Sequence, residues 1–185
     1  MALTKSTQSL FLGQKAPDFR LPDVVSARIL GLSEIKSKKG TVVMFICNHC
    51  PYVKHVRDEL VKLSQEYIQK GIAFVGINSN DVENYPEDSP KKMKEHAKQY
   101  GYPFAYLFDE TQEVAHAYDA ACTPDFYVFD KDLKCVYRGR MDDSTPGSGK
   151  PVTGQDLKAA LDAILSGKQV SEDQKPSLGC NIKWK

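Results

Sequence analysis

The residues best suited to do chemistry are two cysteines three positions apart, Cys47 and Cys50, with Asn48 and His49 between them and Pro51 directly after. They follow an apolar, β-branched run and precede an amphipathic stretch, which predicts a strand-to-helix junction. Unpaired amides and the positive end of the dipole at a helix N-terminus stabilise a thiolate. Such sites lower a thiol pKa from about 8.5 to roughly 3.5–7.5, and a protonated His49 would lower it further. The pair can therefore form and exchange a disulfide.

The same spacing also begins many zinc sites. A closed zinc site needs a second close pair of ligands, and the other cysteines, Cys122, Cys135 and Cys180, supply none. Redox chemistry is therefore the preferred interpretation. Metal handling stays open as an alternative, in which Cys47, Cys50 and Cys122 would offer soft sulfur ligands to copper or zinc.

Strand-like and helix-like segments alternate along the chain, which predicts an α/β fold with a central mixed sheet flanked by helices. The apolar runs 41–46 and 72–77 predict two buried strands. Between them, apolar residues recur at three- and four-residue steps and predict a crossover helix that ends at Gly71. Start and turn signals predict further helices from Ser89–Pro90, Asp109 and Thr153, and a hairpin over 126–129 and 134–138.

No internal repeat or linker divides the 185 residues. We predict a single domain over 1–185, with a core at about 11–166 and a tail, 168–185, that has no periodicity but packs back through its apolar residues. Leu178, Cys180, Ile182 and Trp184 are those apolar residues.

Composition restricts the function classes. The 25 Lys and Arg nearly balance the 24 Asp and Glu, so a nucleic-acid or anionic-membrane partner is not expected. The first residues lack the apolar region of a signal peptide, and no apolar run is long enough for a membrane span. An odd count of five cysteines without an export signal favours a cytoplasmic redox or metal protein. Because no Gly-rich phosphate motif occurs, no nucleotide or flavin cofactor is expected.

Three segments carry a resemblance to a known family. The segment 13–19, GQKAPDF, is similar to the opening motif of peroxiredoxins and their thioredoxin-like relatives. Thr123-Pro124 resembles the cis-proline loop of that group, and 125–130 resembles the strand that follows. With its CNHCP motif, the chain resembles the redoxin, or AhpC/TSA peroxiredoxin-like, branch of the thioredoxin-like superfamily. The resemblance implies a thioredoxin fold with an N-terminal redoxin-type extension, an inserted helix and a C-terminal tail.

The resemblance also implies an activity: thiol–disulfide oxidoreductase or peroxiredoxin-like antioxidant. Its partners would be a thioredoxin- or glutathione-type reductant, a disulfide substrate, or a peroxide. In thioredoxin-type sequences the attacking cysteine stands five positions after a strand phenylalanine, and Phe45 and Cys50 have this spacing. Cys50-Pro51 also resembles a peroxidatic Cys-Pro. Cys50 is therefore the preferred nucleophile, and the rival register makes Cys47 the nucleophile and Cys50 its resolver.

Two positions depart from the peroxiredoxin pattern. Cys47 stands where that pattern has a Thr or Ser hydroxyl, and Val43 replaces its proline. The family's arginine, which steadies the thiolate, would be Arg140 or Arg57.

The remaining cysteines have different expected roles. Cys122 precedes the predicted cis-proline loop, so the fold would bring it near Cys50, either as a participant or as a small buried residue. Cys135 is predicted to be inert packing in a strand. For Cys180 the preferred role is holding the tail, and the alternative is a C-terminal resolving cysteine.

Overall fold

The structure is a computed structural model and describes residues 3–7 and 9–185. Its strands are β1 (Leu3–Lys5), β2 (Arg20–Pro22), β3 (Ile29–Gly31), β4 (Thr41–Phe45), β5 (Ala73–Asn78), β6 (Ala105–Phe108), β7 (Cys122–Thr123), β8 (Asp125–Phe129), β9 (Cys135–Gly139) and β10 (Leu178–Asn181). Its α-helices are α1 (Leu32–Ile35), α2 (Pro51–Gln69), α3 (Pro90–Gln99), α4 (Glu113–Ala117) and α5 (Gln155–Leu165), with a 3₁₀ turn at Pro86–Asp88.

A five-stranded mixed sheet in the order β6-β5-β4-β8-β9 forms the centre. β4 and β5 are parallel, with Thr41 opposite Ala73, and α2 makes the crossover between them. β8 and β9 then run antiparallel as a hairpin. Every residue of β4 is buried, because helices cover both faces of the sheet.

The alternation of side chains along β4 divides the core into two layers. Val42 and Met44 face the layer formed with α2, α3 and α5. Val43 and Phe45 face the opposite layer, which includes Leu32 of α1 and residues of α4. This arrangement confirms the predicted α/β class, with a central mixed sheet flanked by helices. Among the described residues, no helix has the length and hydropathy required to cross a bilayer.

The C-terminal tail contributes a strand to a second, three-stranded sheet in the order β1-β10-β7. β10 lies antiparallel to both neighbours, with Cys180 opposite Leu3 on one side and Thr123 on the other. The prediction of a tail without periodicity missed this strand. β10 places a cysteine of the chain's end beside the residue that precedes Pro124.

Two predicted helix starts are displaced. α5 begins at Gln155 after the N-cap Gly154, not after Thr153. α4 begins at Glu113, not at Asp109, since Gln112 has a φ of 66° and cannot continue a helix. The carboxylate of Asp109 instead accepts hydrogen bonds from the amides of Val114 and Ala115. The side chain of Gln112 therefore does not cap the helix, and its Nε2 donates a hydrogen bond to the Lys183 carbonyl oxygen in the tail.

Candidate functional site

The loop 46–50 joins the buried β4 to α2 and carries both cysteines of the CNHCP motif. Cys50 is the residue that precedes the first turn of α2, and Pro51 occupies its first helical position, where a missing N–H costs nothing. Cys47 and Cys50 are 1% and 0% exposed. The Cys50 thiol therefore lies at the N-terminus of a 19-residue helix and out of bulk water.

The predicted cis-proline lies directly beside these thiols. The peptide bond between Thr123 and Pro124 is cis. The Thr123 carbonyl oxygen lies 3.3 Å from Cys50 Sγ and accepts its hydrogen bond when Cys50 is protonated. The Thr123 hydroxyl lies 3.4 Å from Cys47 Sγ.

The C-terminal tail contributes a third thiol, that of Cys180. Because β10 pairs with β7, Cys180 stands opposite Thr123, and its Sγ lies 2.9 Å from Cys50 Sγ. The neighbouring Gly179 is packed so closely that an added Cβ would meet the Thr123 carbonyl oxygen at 2.0 Å. We call Cys47, Cys50, Cys180 and Thr123 the sulfur face of the site.

The three thiols of the sulfur face differ in pKa. The pKa of Cys50 is lowered to about 5, first by the hydrogen bond from the Cys47 thiol. Burial opposes this shift, while the Cys180 thiol and the amides of Val53 and Cys180 favour the thiolate. Cys50 is thus the thiol of this group that is ionised at neutral pH.

The neighbouring thiols shift the other way. Burial, followed by the interaction with Cys50, raises the pKa of Cys47 well above its usual value. Burial and Cys50 likewise raise the pKa of Cys180 to about 12. Both groups stay protonated, and each donates to Cys50.

Asn48 and His49 of the loop contact a polar group that we call the carboxylate face: Asn48, His49, Asn80 and Asp88. The Asp88 carboxylate is fully buried and accepts hydrogen bonds from the backbone N–H of Asn48 (2.7 Å), Asn80 Nδ2 (2.7 Å) and His49 Nδ1 (2.6 Å). Burial raises the pKa of Asp88, but these hydrogen bonds, that of His49 first, outweigh it and hold the pKa below its usual range. The contacts fix the loop on the side opposite the sulfurs.

Cys47, His49 and Asp88 form the group of described residues that could hold a metal ion, with ligand atoms within 4.8 Å of one another. This group includes neither Cys50 nor Cys122. The metal-handling alternative, which required Cys47, Cys50 and Cys122, therefore has no support.

The other residues predicted for the site lie as follows. Cys122 is buried in β7, and burial raises its pKa well above the usual value, with Asp125 and Cys50 adding to the shift. The Arg140 guanidinium pairs with Asp156 at 2.7 Å. The alternative, Arg57, stacks on the Tyr100 ring at 3.3 Å.

A cavity of about 350 Å³ opens next to the cis-proline, between the start of α2 and the tail. Tyr52, Val56, Pro124, Phe126, Arg140 and Leu178 are among its lining residues. Tyr52 and Pro124 place this cavity beside the sulfur face, whose cysteines do not line it.

Two parts of the site were missed from the sequence. The preferred sequence prediction for Cys180 is that it holds the tail, although Leu178, Cys180, Ile182 and Trp184 alternate with polar or small residues, which is the period of a strand. Asp88 lies in a polar stretch for which the sequence predicts no site residue. Its partner Asn48 is 40 positions away, and no local pattern links the two.

The chain resembles proteins of known structure over its whole length. An uncharacterized conserved protein from Geobacillus kaustophilus is 60% identical, with a TM-score of 0.98 over 100% of this chain and 97% of that chain. A hypothetical protein from Sinorhizobium meliloti 1021 is 48% identical, with a TM-score of 0.95 over 98% of each chain. No curated protein matches the chain in sequence.

A more distant structure supports the fold assignment. The thioredoxin domain of a thiol-disulfide oxidoreductase from Bacteroides vulgatus superposes with a TM-score of 0.59 at 20% identity, over 70% of this chain and 89% of that domain. The thioredoxin fold implied by the cis-proline loop and the CNHCP motif is thus confirmed. Residues 12–138 match the AhpC/TSA family, which is more than half of the chain. The chain therefore belongs to the AhpC/TSA family.

Proposed function

We propose that the chain is a thiol-dependent oxidoreductase in which the Cys50 thiolate attacks a sulfur of a disulfide or an oxygen of a hydroperoxide. The observation that carries the proposal is the position of Cys50, which directly precedes the first turn of α2 and whose Sγ lies 3.3 Å from the Thr123 carbonyl oxygen and 2.9 Å from Cys180 Sγ. The pKa of Cys50 is lowered to about 5, while the pKa of Cys47 is raised. A thiolate is the form of cysteine that attacks, so this difference favours Cys50 over Cys47 as nucleophile.

The first step gives a product that depends on the substrate. Attack on a disulfide forms a mixed disulfide and releases a thiolate, whereas attack on a hydroperoxide forms a sulfenic acid and releases an alcohol or water. A second cysteine then resolves either product into an intramolecular disulfide. A thioredoxin- or glutathione-type reductant would return the protein to its dithiol form.

The surroundings of Cys50 suit this chemistry. The cavity beside Pro124 offers space for the organic part of the substrate. Burial keeps water away from the thiolate, and the amides at the start of α2 stabilise its charge. An odd count of five cysteines favours a reducing compartment, so we also propose the cytoplasm as the place of action.

The pH dependence of Cys50 alkylation tests the proposal. For a group with a lowered pKa, the thiolate is present above that pKa and is lost as the pH falls through it. The iodoacetamide rate at Cys50, followed by peptide mass spectrometry, should therefore rise through about pH 5 and level off by neutral pH. A midpoint near the ordinary value of about 8.5 contradicts the proposal.

The matched controls are Cys50→Ser, which should remove the fast phase, and Cys135→Ser. Cys135 is also a buried thiol, with its pKa raised to about 11 by burial, and should leave the profile unchanged. An assay coupled to thioredoxin reductase, with a hydroperoxide or a disulfide as electron acceptor, then separates the two substrate classes.

A further inference from the structure

The tail strand presents its cysteine to Cys50 in the way that a bound partner would. β10 adds to the edge of β7, with Cys180 opposite Thr123 and Asn181 opposite Cys122. Strand addition at an exposed edge is a general mode of peptide recognition. Here the chain's own tail already occupies that edge, and it carries a thiol at the position beside the proposed nucleophile.

We propose that Cys180 is the built-in resolving cysteine of this protein, and that the disulfide formed in turnover joins Cys50 to Cys180. The proposal rests on the proposed function of Cys50. It reverses the preferred interpretation of Cys180 as a residue that only holds the tail. Its main support is the distance of 2.9 Å between the two sulfurs.

β10 lies very close to the backbone of Thr123 at Gly179. An added Cβ at Gly179 would meet the Thr123 carbonyl oxygen at 2.0 Å and its carbonyl carbon at 2.7 Å. The tail can approach β7 this closely only because residue 179 lacks a side chain. The next residue, Cys180, thereby reaches the sulfur that it would attack.

The tail is also held from its far end. Asn80 Oδ1 accepts a hydrogen bond from the Lys183 amide at 2.9 Å, and Gln112 Nε2 donates to the Lys183 carbonyl oxygen at 2.8 Å. Trp184 stacks on His116 with 4.3 Å between ring centres. Contacts on both sides of Cys180 therefore keep its thiol in place.

Cys47 is the rival for the resolving role, since its thiol also hydrogen-bonds to Cys50. A resolving thiol attacks as the thiolate. Burial raises the pKa of both thiols; the charge of Asp88 adds to the shift at Cys47, whereas the charge of Lys183 opposes it at Cys180. Cys47 also lies on the loop that the carboxylate face holds in place, while Cys180 lies on a separate segment of chain.

The reaction balances with a small-molecule disulfide as oxidant. The Cys50 thiolate bonds to one sulfur of the disulfide, whose S–S bond breaks and releases one thiolate. Cys180 then loses its proton and attacks Cys50 Sγ, forming the Cys50–Cys180 bond. The bond from Cys50 to the substrate breaks, and the second thiolate leaves. Two electrons pass from the two cysteines to the substrate, and an external dithiol reverses the oxidation.

The test uses the full chain and oxidised glutathione as the small disulfide. After acid quenching and alkylation of the remaining thiols, peptide mass spectrometry identifies the linked cysteines. The wild type should give a Cys50–Cys180 linked peptide, and so should Cys47→Ser. In Cys180→Ser this peptide should be lost, and the glutathione adduct on Cys50 should accumulate in its place. Cys135→Ser, a change at a buried thiol in β9, is the matched control and should behave as the wild type.

A second variant keeps all five cysteines. Gly179→Ala should displace β10 from the Thr123 carbonyl, so that the adduct on Cys50 accumulates although Cys180 is present. A Cys47–Cys50 linked peptide in the wild type, with no adduct accumulating in Cys180→Ser, would overturn the inference but leave Cys50 as the nucleophile. If Cys50 forms no adduct, sulfenic acid or disulfide in any variant, with oxidised glutathione or with a hydroperoxide as oxidant, the proposed function fails together with the inference.

Discussion

The two faces of the loop 46–50 are built from opposite kinds of contact. On the carboxylate face, Asp88 accepts three hydrogen bonds of 2.6–2.7 Å from residues 48, 49 and 80. On the sulfur face, the contacts are 2.9–3.4 Å long and involve the Cys50 thiolate and two protonated thiols. Thiols are weak donors, and Cys50 loses its negative charge when it bonds to a substrate sulfur or oxygen, so the sulfur face can change its contacts during turnover. The carboxylate face cannot, because a buried charge that loses its partners is expensive.

Within this one short motif, some residues hold the loop in place and others carry the reactive sulfurs. Asn48 and His49 fix the loop, and Cys47 and Cys50 are thereby held beside β7 and the tail. Asn80 joins the two faces, since its amide nitrogen donates to Asp88 while its oxygen accepts from the Lys183 amide. The carboxylate face therefore positions the tail as well as the loop.

The largest effect should come from breaking the carboxylate face. Asp88→Ala would leave the Asn48 amide and Asn80 Nδ2 buried without their acceptor, so the free energy of unfolding should fall by about 3 kcal/mol. Urea denaturation followed by circular dichroism measures it. Asp173→Ala, at a carboxylate that is 79% exposed, is the control and should change stability by less than about 0.5 kcal/mol. Equal losses in both variants would contradict the distinction between the faces.

A smaller effect is expected on the sulfur face. Cys47→Ala removes the hydrogen bond that contributes most to the lowered pKa of Cys50. The midpoint of the Cys50 alkylation profile should rise by about one pH unit, which corresponds to about 1.4 kcal/mol. The unfolding free energy should change less than in Asp88→Ala. An unchanged midpoint would mean that Cys180 and the helix amides alone stabilise the thiolate.

The sequence predicts the parts of this arrangement that depend on contacts between residues close together in the chain. β4, α2 and the position of Cys50 at the helix start are encoded by apolar periodicity within 41–69, and the structure agrees. The apolar residues of the tail alternate with period 2, which is typical of a strand such as β10. Its partner β7, however, has only two residues and lies more than 50 positions away. Pairing over that distance leaves no signal in either segment alone.

The start of α4 shows a second way in which local patterns fail. Asp109 and Gln112 have capping-box spacing, yet Gln112 takes a left-handed conformation and donates to the carbonyl oxygens of Ser79 and Lys183. Tertiary contacts with the tail outweigh the local preference. The residues that depart from the local rules are thus those that hold the tail beside the site.

The smallest effect concerns the outer end of the tail. Trp184 is 40% exposed and stacks on His116 with an interplanar angle of 15°, so Trp184→Ala should cost about 1 kcal/mol. Because this contact lies beyond Cys180, the loss should appear as local opening of β10, with amide exchange at 178–182 about fivefold faster. Hydrogen–deuterium exchange with mass spectrometry measures it, and Phe11→Ala, a change at an aromatic side chain that is 70% exposed, is the control. Exchange in the loop 46–50 should stay as slow as in the wild type, since Asp88 and not the tail holds that loop. If the loop and β10 open together, the two faces are a single unit.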